Sequence, residues 1–210
     1  MDAYKFYVLG CRGSRPVSGV NCQQFGGATS CYIIKAGQHA VVLDCGTGLY
    51  QAEPYLKDCT QIDILLTHLH YDHILGLLDW SVFPETAHDG LGLDLVAHIA
   101  LAEAGILLEV DLQGQFLHHV HRQHHPDLIL HGVDVPAEMV EGCSFILYDG
   151  MFTEMEYPSR KGWGHSIWQE GVKLAQKMEI PHLVITHHLP ERTDEDLLAM
   201  EAYARHAFPG

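Results

Sequence analysis

The stretch THLHYDHILGL, residues 67–77, constrains this chain more than any other. It follows an apolar run, QIDILL, and gathers His68, His70, Asp72 and His73 within a few residues. A short apolar run bounded by polar residues reads as a buried strand. Residues two apart on an extended segment point the same way, so His68 and His70 can grip one ion from the strand end. Asp72 and His73 then lie on the turn into a helix, placed to serve a second ion. A His-rich loop can be a plain solvated turn, and the chain has 17 histidines to distribute. Three imidazoles and a carboxylate at this spacing point instead to metal, because neutral imidazole and carboxylate are common ligands of zinc and similar ions.

At 210 residues one domain, 1–210, is the natural expectation, with room for a substantial core. No apolar run approaches the roughly 18–20 residues needed to span a membrane. The opening MDAYKFYVLGCRGSRP lacks the basic-then-apolar pattern of a signal peptide. Cysteines 11, 22, 31, 45, 59 and 143 are scattered without a CxxC, which favours reduced thiols and a cytoplasmic location over a disulfide framework. The net charge of −15 is a further constraint, and Arg122 is the only Lys or Arg between residues 74 and 159. Nucleic-acid affinity comes largely from neutralising phosphates with cations, so this balance disfavours RNA and DNA and favours a small substrate. Bound metal ions would invert the field at the site itself.

The remaining pattern alternates strands and helices. KFYVLG (5–10) reads as a first strand, and 31–35 and 40–44 as two strands joined by the turn AGQH. LDCGTGLY puts Asp44 at a strand end, with Gly46 and Gly48 suited to a tight loop where backbones approach closely. Residues 51–57 are expected to be helical and 62–66 to form the strand that delivers the metal motif. SFILYDGMF (144–152) repeats the plan with Asp149 near a strand end. Apolar spacing predicts a helix over 164–178, and PHLVITHHLP (181–190) a strand ending at His187 and His188. Thr193 is expected to cap a last helix whose first turn, DED, is acidic as the helix dipole prefers. Such alternation predicts a layered α/β domain.

THxHxDHxxGL after a buried strand resembles the signature of the metallo-β-lactamase fold. VLGCRGSRPVSGVNCQQFGGATSCYII with VVLDCGTG, and later LYDGMFTEMEY, KGWGHSIWQEGVKLA and VITHHLPERTDEDL, are similar to the branch containing ribonuclease Z and phosphoribosyl cyclic phosphodiesterases. These segments cover roughly 1–85 and 137–205. The resemblance implies an α/β, αβ/βα four-layer sandwich that holds two divalent metal ions, with Zn2+ expected and Mn2+ or Fe2+ also suited to such ligands. It implies that His68 and His70 bind one ion, that Asp72 and His73 bind the second, and that His187 is the last ligand, with His188 as the alternative. It also places His165, oriented by Asp149, as the acid that assists a leaving group, and counts Asp72 with the catalytic residues. Asp44 is expected to anchor the ligand loop by accepting hydrogen bonds. Arg12 and Arg15 lie in the first loop, where contact with a phosphate is one reading and solvation the favoured one.

The segment at about 86–135 departs from the family pattern. Eight of the 17 histidines fall between 88 and 131. His125, followed by Pro126, is one candidate for a missing ligand. Asp134, in LILHGVD, is a candidate bridging carboxylate, with His118 or His119 as ligand. The third reading is a diverged segment with a crippled second metal site. The expected function is a metal-dependent hydrolase, a phosphodiesterase cleaving a small diester with hydroxide generated at the metals. A ribonuclease Z-like nuclease and a catalytically impaired metal-binding protein are the alternatives. Expected partners are a small phosphodiester, no nucleic acid, no membrane, and at most a second copy of the chain.

Overall fold

The run KFYVLG forms β1 (Lys5–Gly10), antiparallel to β2 (Cys31–Ala36), which turns tightly into antiparallel β3 (His39–Leu43). A parallel partner, β4 (Gln61–Leu65), completes a four-stranded sheet in the order β1-β2-β3-β4. The crossover between β3 and β4 carries a 3-10 turn over Thr47–Gln51 and the short helix α1 (Glu53–Leu56). Sequence periodicity predicts one helix over 51–57, but Pro54 near the N-terminus of α1 has no N–H to donate, so helix begins there and the preceding turn stays 3-10. β3 is buried on both faces, Val41 and Val42 alike, which is why HAVVL is a continuous apolar run and not an alternating one.

The computed structural model describes residues 4–83, 109–110, 116–117, 129–130, 140 and 142–208. The chain divides into two compact units. The first comprises Met1–Val17, Gly26–Ile106 and Val110–Gln115; the second Ser18–Phe25, Leu107–Glu109 and Phe116–Gly210. The first unit buries Leu9, Ile33, Val42, Leu49, Leu56, Ile64, Leu66 and Phe83 in one cluster beneath its sheet. Helix α2 (Tyr71–Ile74) follows β4 by way of the His-rich loop.

Two very short strands, β5 (Glu109–Val110) and β6 (Phe116–Leu117), precede the sheet of the second unit. That sheet is parallel, in the order β7 (Ile129–Leu130), β8 (Phe145–Asp149), β9 (His182–Thr186). Helix α3 (Trp168–Lys177) connects β8 to β9, and α4 (Asp194–Ala207) closes the chain. Val140, Ile146, Tyr148, Ala175 and Ile180 form this unit's core. Gly171 lets α3 lie against Tyr148, since a Cβ there would meet the ring at 2.5 Å. Helix α3 starts at Trp168 and not at 164, because Gly164 is at φ +84° and Ile167 is extended. Thr193 caps α4 through a capping box with Asp196, as the sequence predicts. The Asp194 carboxylate accepts the backbone N–H of Gln24 and Phe25, tying the 18–25 segment to the same unit. All six cysteines are free thiols. Among the described residues no helix is long and apolar enough to cross a membrane.

Candidate functional site

In the first unit the chemistry starts at Asp44, the residue after β3. It is fully buried and takes φ +57°, a conformation unfavourable for a residue with a Cβ. That strained turn aims its carboxylate at the metal loop. The Thr67 N–H and hydroxyl both donate to it, at 2.8 Å and 2.9–3.0 Å, and His73 Nδ1 lies 2.7 Å from Oδ2. His73 is itself 1% exposed. Burial works against its charged form, but the Asp44 and Asp72 carboxylates outweigh it and push its pKa up to about 9. With Nδ1 donating to Asp44, Nε2 is left facing the Asp72 carboxylate at 3.4 Å. The half-exposed His68 places Nδ1 3.0 Å from the Thr67 hydroxyl and Nε2 2.9 Å from Nδ1 of the exposed His70.

Two pairs of ligand atoms therefore converge: imidazole with imidazole on the β4 side, imidazole with carboxylate on the α2 side. Nitrogen and carboxylate-oxygen donors of this kind suit divalent ions such as zinc, and the carboxylate behind His73 fixes its tautomer as metal-binding histidines require. The residues present fit a metal. The loop keeps its shape through close backbone packing. Cys45 N–H donates to His73 O at 2.7 Å and Gly76 N–H to Cys45 O at 2.8 Å. A Cβ on Gly46 would stand 2.2 Å from Asp72 O, so glycine is required there for contact with the metal loop. Ser14 N–H donates to Asp72 Oδ2 at 2.7 Å, across 58 residues of sequence.

The second unit builds its cluster from the ends of β8 and β9. Asp149, 1% exposed, ends β8. Its Oδ1 accepts the N–H of Met151 at 3.0 Å and Ser166 at 3.4 Å. Its Oδ2 lies 2.8 Å from His165 Nδ1 and 3.5 Å from His187 Nδ1. The His165 and His187 rings stack at 4.8 Å with 23° between their planes. Ligand atoms of Asp149, His165 and His187 all fall within 4.8 Å of one another, a grouping able to hold a metal ion. His187, like Asp44, follows a strand at φ +57°. Both units thus turn a strand end through the same strained conformation to present a chemical side chain. Phe152 pins the His165 loop: its N–H donates to Ser166 O and its O accepts from Trp168 N–H, both at 3.1 Å. The pair Tyr148 Oη and Ser166 Oγ, 2.6 Å apart, adds a buried tie.

The structure brings His68, His70, Asp72 and His73 together in one unit, and Asp149, His165 and His187 in the other. His188 is buried but lies outside that second grouping. His125 and Asp134, with His118 and His119, lie outside the described residues. Arg12 corrects an expectation: it is fully buried, with Nε donating to Gly26 O at 2.9 Å, where solvation was expected. It neighbours Thr29 through an isolated bridge, a non-local pairing that loop composition does not reveal. Arg15 is exposed. Sequence reasoning missed Thr67 and Ser14 as supports of the candidate ligands. The threonine preceding the first histidine was a visible signal; the Ser14 backbone contact had none.

The family model of the metallo-beta-lactamase superfamily matches residues 25–133, just over half of the 210-residue chain, and takes in most of the His-rich stretch. No curated protein sequence matches. Among solved structures, the metallo-beta-lactamase fold protein YhfI from Bacillus subtilis is similar with a TM-score of 0.64 at 18% identity, covering 100% of this chain and 95% of that one. A diphosphatase from the PhnP family follows with a TM-score of 0.57 at 18% identity, covering 93% and 90%. Human tRNase Z, short form (ELAC1), gives 0.54 at 16% identity, covering 88% and 92%. At such identities these likenesses establish the α/β metallo-β-lactamase fold. The superfamily is one of metal-dependent hydrolases, and the chain carries the His/Asp groupings that a divalent ion requires. The chain belongs to the metallo-beta-lactamase superfamily.

Proposed function

We propose that this protein is a phosphodiesterase acting on a small phosphate diester. The observation that carries the reading is the Asp149–His165 pair. A buried carboxylate 2.8 Å from His165 Nδ1 fixes the imidazole in one orientation and one tautomer. In the imidazolium form Nε2 is then the atom that delivers a proton to a departing oxygen, leaving the ring neutral with its remaining proton on Nδ1, a step worth typically about 10²–10⁴-fold in rate. A diphosphatase and a tRNase among the structural neighbours support reaction at phosphorus.

We assign His68, His70, Asp72 and His73 as metal ligands in the first unit, and His187 in the second. Divalent ions held there, zinc in our assignment with manganese and iron as the other candidates, supply positive charge at the phosphoryl group and the nucleophile. Asp44 orients His73 and, through Thr67, braces the strand end. Asp149 orients His165. The net charge of −15 favours a small substrate over RNA. Six free thiols favour a cytoplasmic setting.

The test joins elemental analysis of untagged protein with hydrolysis of bis(p-nitrophenyl) phosphate. The expected result is bound metal with turnover, His68→Ala losing most metal and all hydrolysis, and His165→Ala keeping metal while hydrolysis slows by roughly 10²-fold or more. His68→Ala with unchanged metal content would overturn the ligand assignment. Equal metal loss in His165→Ala would make that residue a ligand and not an acid. Absent turnover in added zinc and manganese would leave a metal-binding protein without this catalysis.

A further inference from the structure

The segment between Phe152 and His165 carries an arginine and a tryptophan that the proposed chemistry does not use. Phe152 is fully buried and its ring meets His165 edge-on, with centroids 6.0 Å apart. On the same phenyl ring sits the Arg160 guanidinium, Cζ 5.8 Å from the centroid. Arg160 also lies 4.9 Å from the Trp163 ring. A continuous path of rings and cation thus runs His187, His165, Phe152, Arg160, Trp163, all within the second unit. It begins at buried groups and ends at an indole that is 62% exposed.

Three features mark this as a built arrangement. The Arg160 guanidinium has no hydrogen bond or ion pair among the described residues. Arg192 and Arg205, in contrast, pair with Glu156 and Glu201. In a chain with 27 acidic residues and 12 basic ones, an uncommitted guanidinium is conspicuous. Second, Trp163 stands between Gly162 at φ +87° and Gly164 at φ +84°, and a Cβ on either glycine would meet nothing within 4 Å. The indole is carried into solvent, so its open face is available for a planar ring to stack on. Third, the turn is held from below: Trp163 N–H donates to Arg160 O at 3.1 Å and Arg160 N–H to Tyr157 O at 2.8 Å.

We propose that Trp163, backed by Arg160, is the specificity-determining platform of this site: it stacks on a planar ring carried by the phosphodiester, while Arg160 attracts the diester's negative charge. Indole is the strongest aromatic partner for a cation, so the Arg160 contact fixes the near side of the ring and leaves its outer side for a base or an aryl group. The inference rests on the phosphodiesterase reading for its substrate, but the platform is testable apart from turnover.

The experiment uses the metal-loaded full chain and two cyclic diesters that differ in a planar ring: 2′,3′-cyclic AMP and glycerol 1,2-cyclic phosphate. Calorimetric binding of AMP and of ribose 5-phosphate runs in parallel. In the wild type AMP is expected to bind about tenfold tighter than ribose 5-phosphate. Trp163→Ala should raise KM for cyclic AMP about tenfold, leave kcat and the glycerol substrate unchanged, and abolish the AMP preference. Trp163→Phe should restore most of it. Arg160→Ala should raise KM for both diesters several-fold, because it removes a charge and not only a ring contact. Turnover with no ring preference, or a preference that survives Trp163→Ala, overturns the platform and leaves the phosphodiesterase standing. A preference for AMP that disappears in Trp163→Ala, without turnover of either diester, supports the platform and overturns the phosphodiesterase.

Discussion

His73 shows how much a single residue is asked to do. Its Nδ1 is committed to Asp44 and its Nε2 faces Asp72, so two carboxylates bracket a ring that is almost fully buried. Burial alone would favour the neutral ring, yet the carboxylates win and raise its pKa to about 9. A folded-state pKa above the unfolded value contributes stability that is fully present below the unfolded pKa of about 6.5 and is lost as pH rises through about 9. Metal-free protein is therefore expected to lose thermal stability across that interval, and differential scanning calorimetry with chelator present measures it. The same proton must leave before a metal takes Nε2. Metal titrations in two buffers of different ionisation enthalpy should show close to one proton released by His73 near neutrality and none well above pH 9. Equal release at both pH values would mean that His73 is already neutral in the metal-free protein. Asp44→Asn tests the support: it keeps the shape but weakens the ring's orientation, with a loss in metal affinity of roughly 10–100-fold expected by equilibrium chelator competition.

At the scale of elements, the metal loop depends on backbone packing between two glycine-bearing turns. A methyl on Gly46 would overlap Asp72 O at 2.2 Å, and one on Gly76 would overlap Gly46 O at 2.3 Å. Neither neighbour is a side-chain end that can swing away. Gly46→Ala is expected to cost about 1–3 kcal/mol and to lower metal content, read by chemical denaturation and elemental analysis. Thr193→Ala removes the cap of α4 and is expected to cost about 1 kcal/mol with metal content unchanged. Equal metal loss in both would show that general destabilisation, and not loop geometry, governs the site. These elements also show what a sequence reveals. β1 and the Thr193 cap were legible because a local apolar run and a local side chain determine them. The start of α3 was not: the helix was expected from Gly164, while the chain spends 165–167 on carrying His165 and bridging to Phe152. The clustering of His68, His70, Asp72 and His73 was legible because HLHYDH is contiguous. The Ser14 contact to Asp72 and the burial of Arg12 were not, since each depends on chain segments brought together only by folding.

Across the whole molecule, charge decides which substrates can approach. Twenty-seven acidic residues against twelve basic ones create a negative field that any phosphate ester must cross. A nuclease of this fold would need a cationic track to hold a long polyanion, and its affinity would fall steeply with salt as counterions are taken up again. Among the described residues, Arg192, Arg205, Lys35 and Lys173 are each spent on a carboxylate and Arg12 is buried, so that Lys5, Arg15, Lys57, Arg160, Lys161 and Lys177 are the six basic residues that stand against the 27 acidic residues of the chain. Screening should then help and not hinder a small anionic substrate. Raising salt from about 20 mM to about 200 mM shortens the Debye length roughly threefold, and KM for bis(p-nitrophenyl) phosphate is expected to fall modestly or stay flat over that range. A labelled RNA hairpin should show no binding in fluorescence anisotropy at either salt concentration. Tight RNA binding at low salt, lost steeply at high salt, would mean that the field at the site is positive despite the net charge, and would move the substrate from small diesters to RNA.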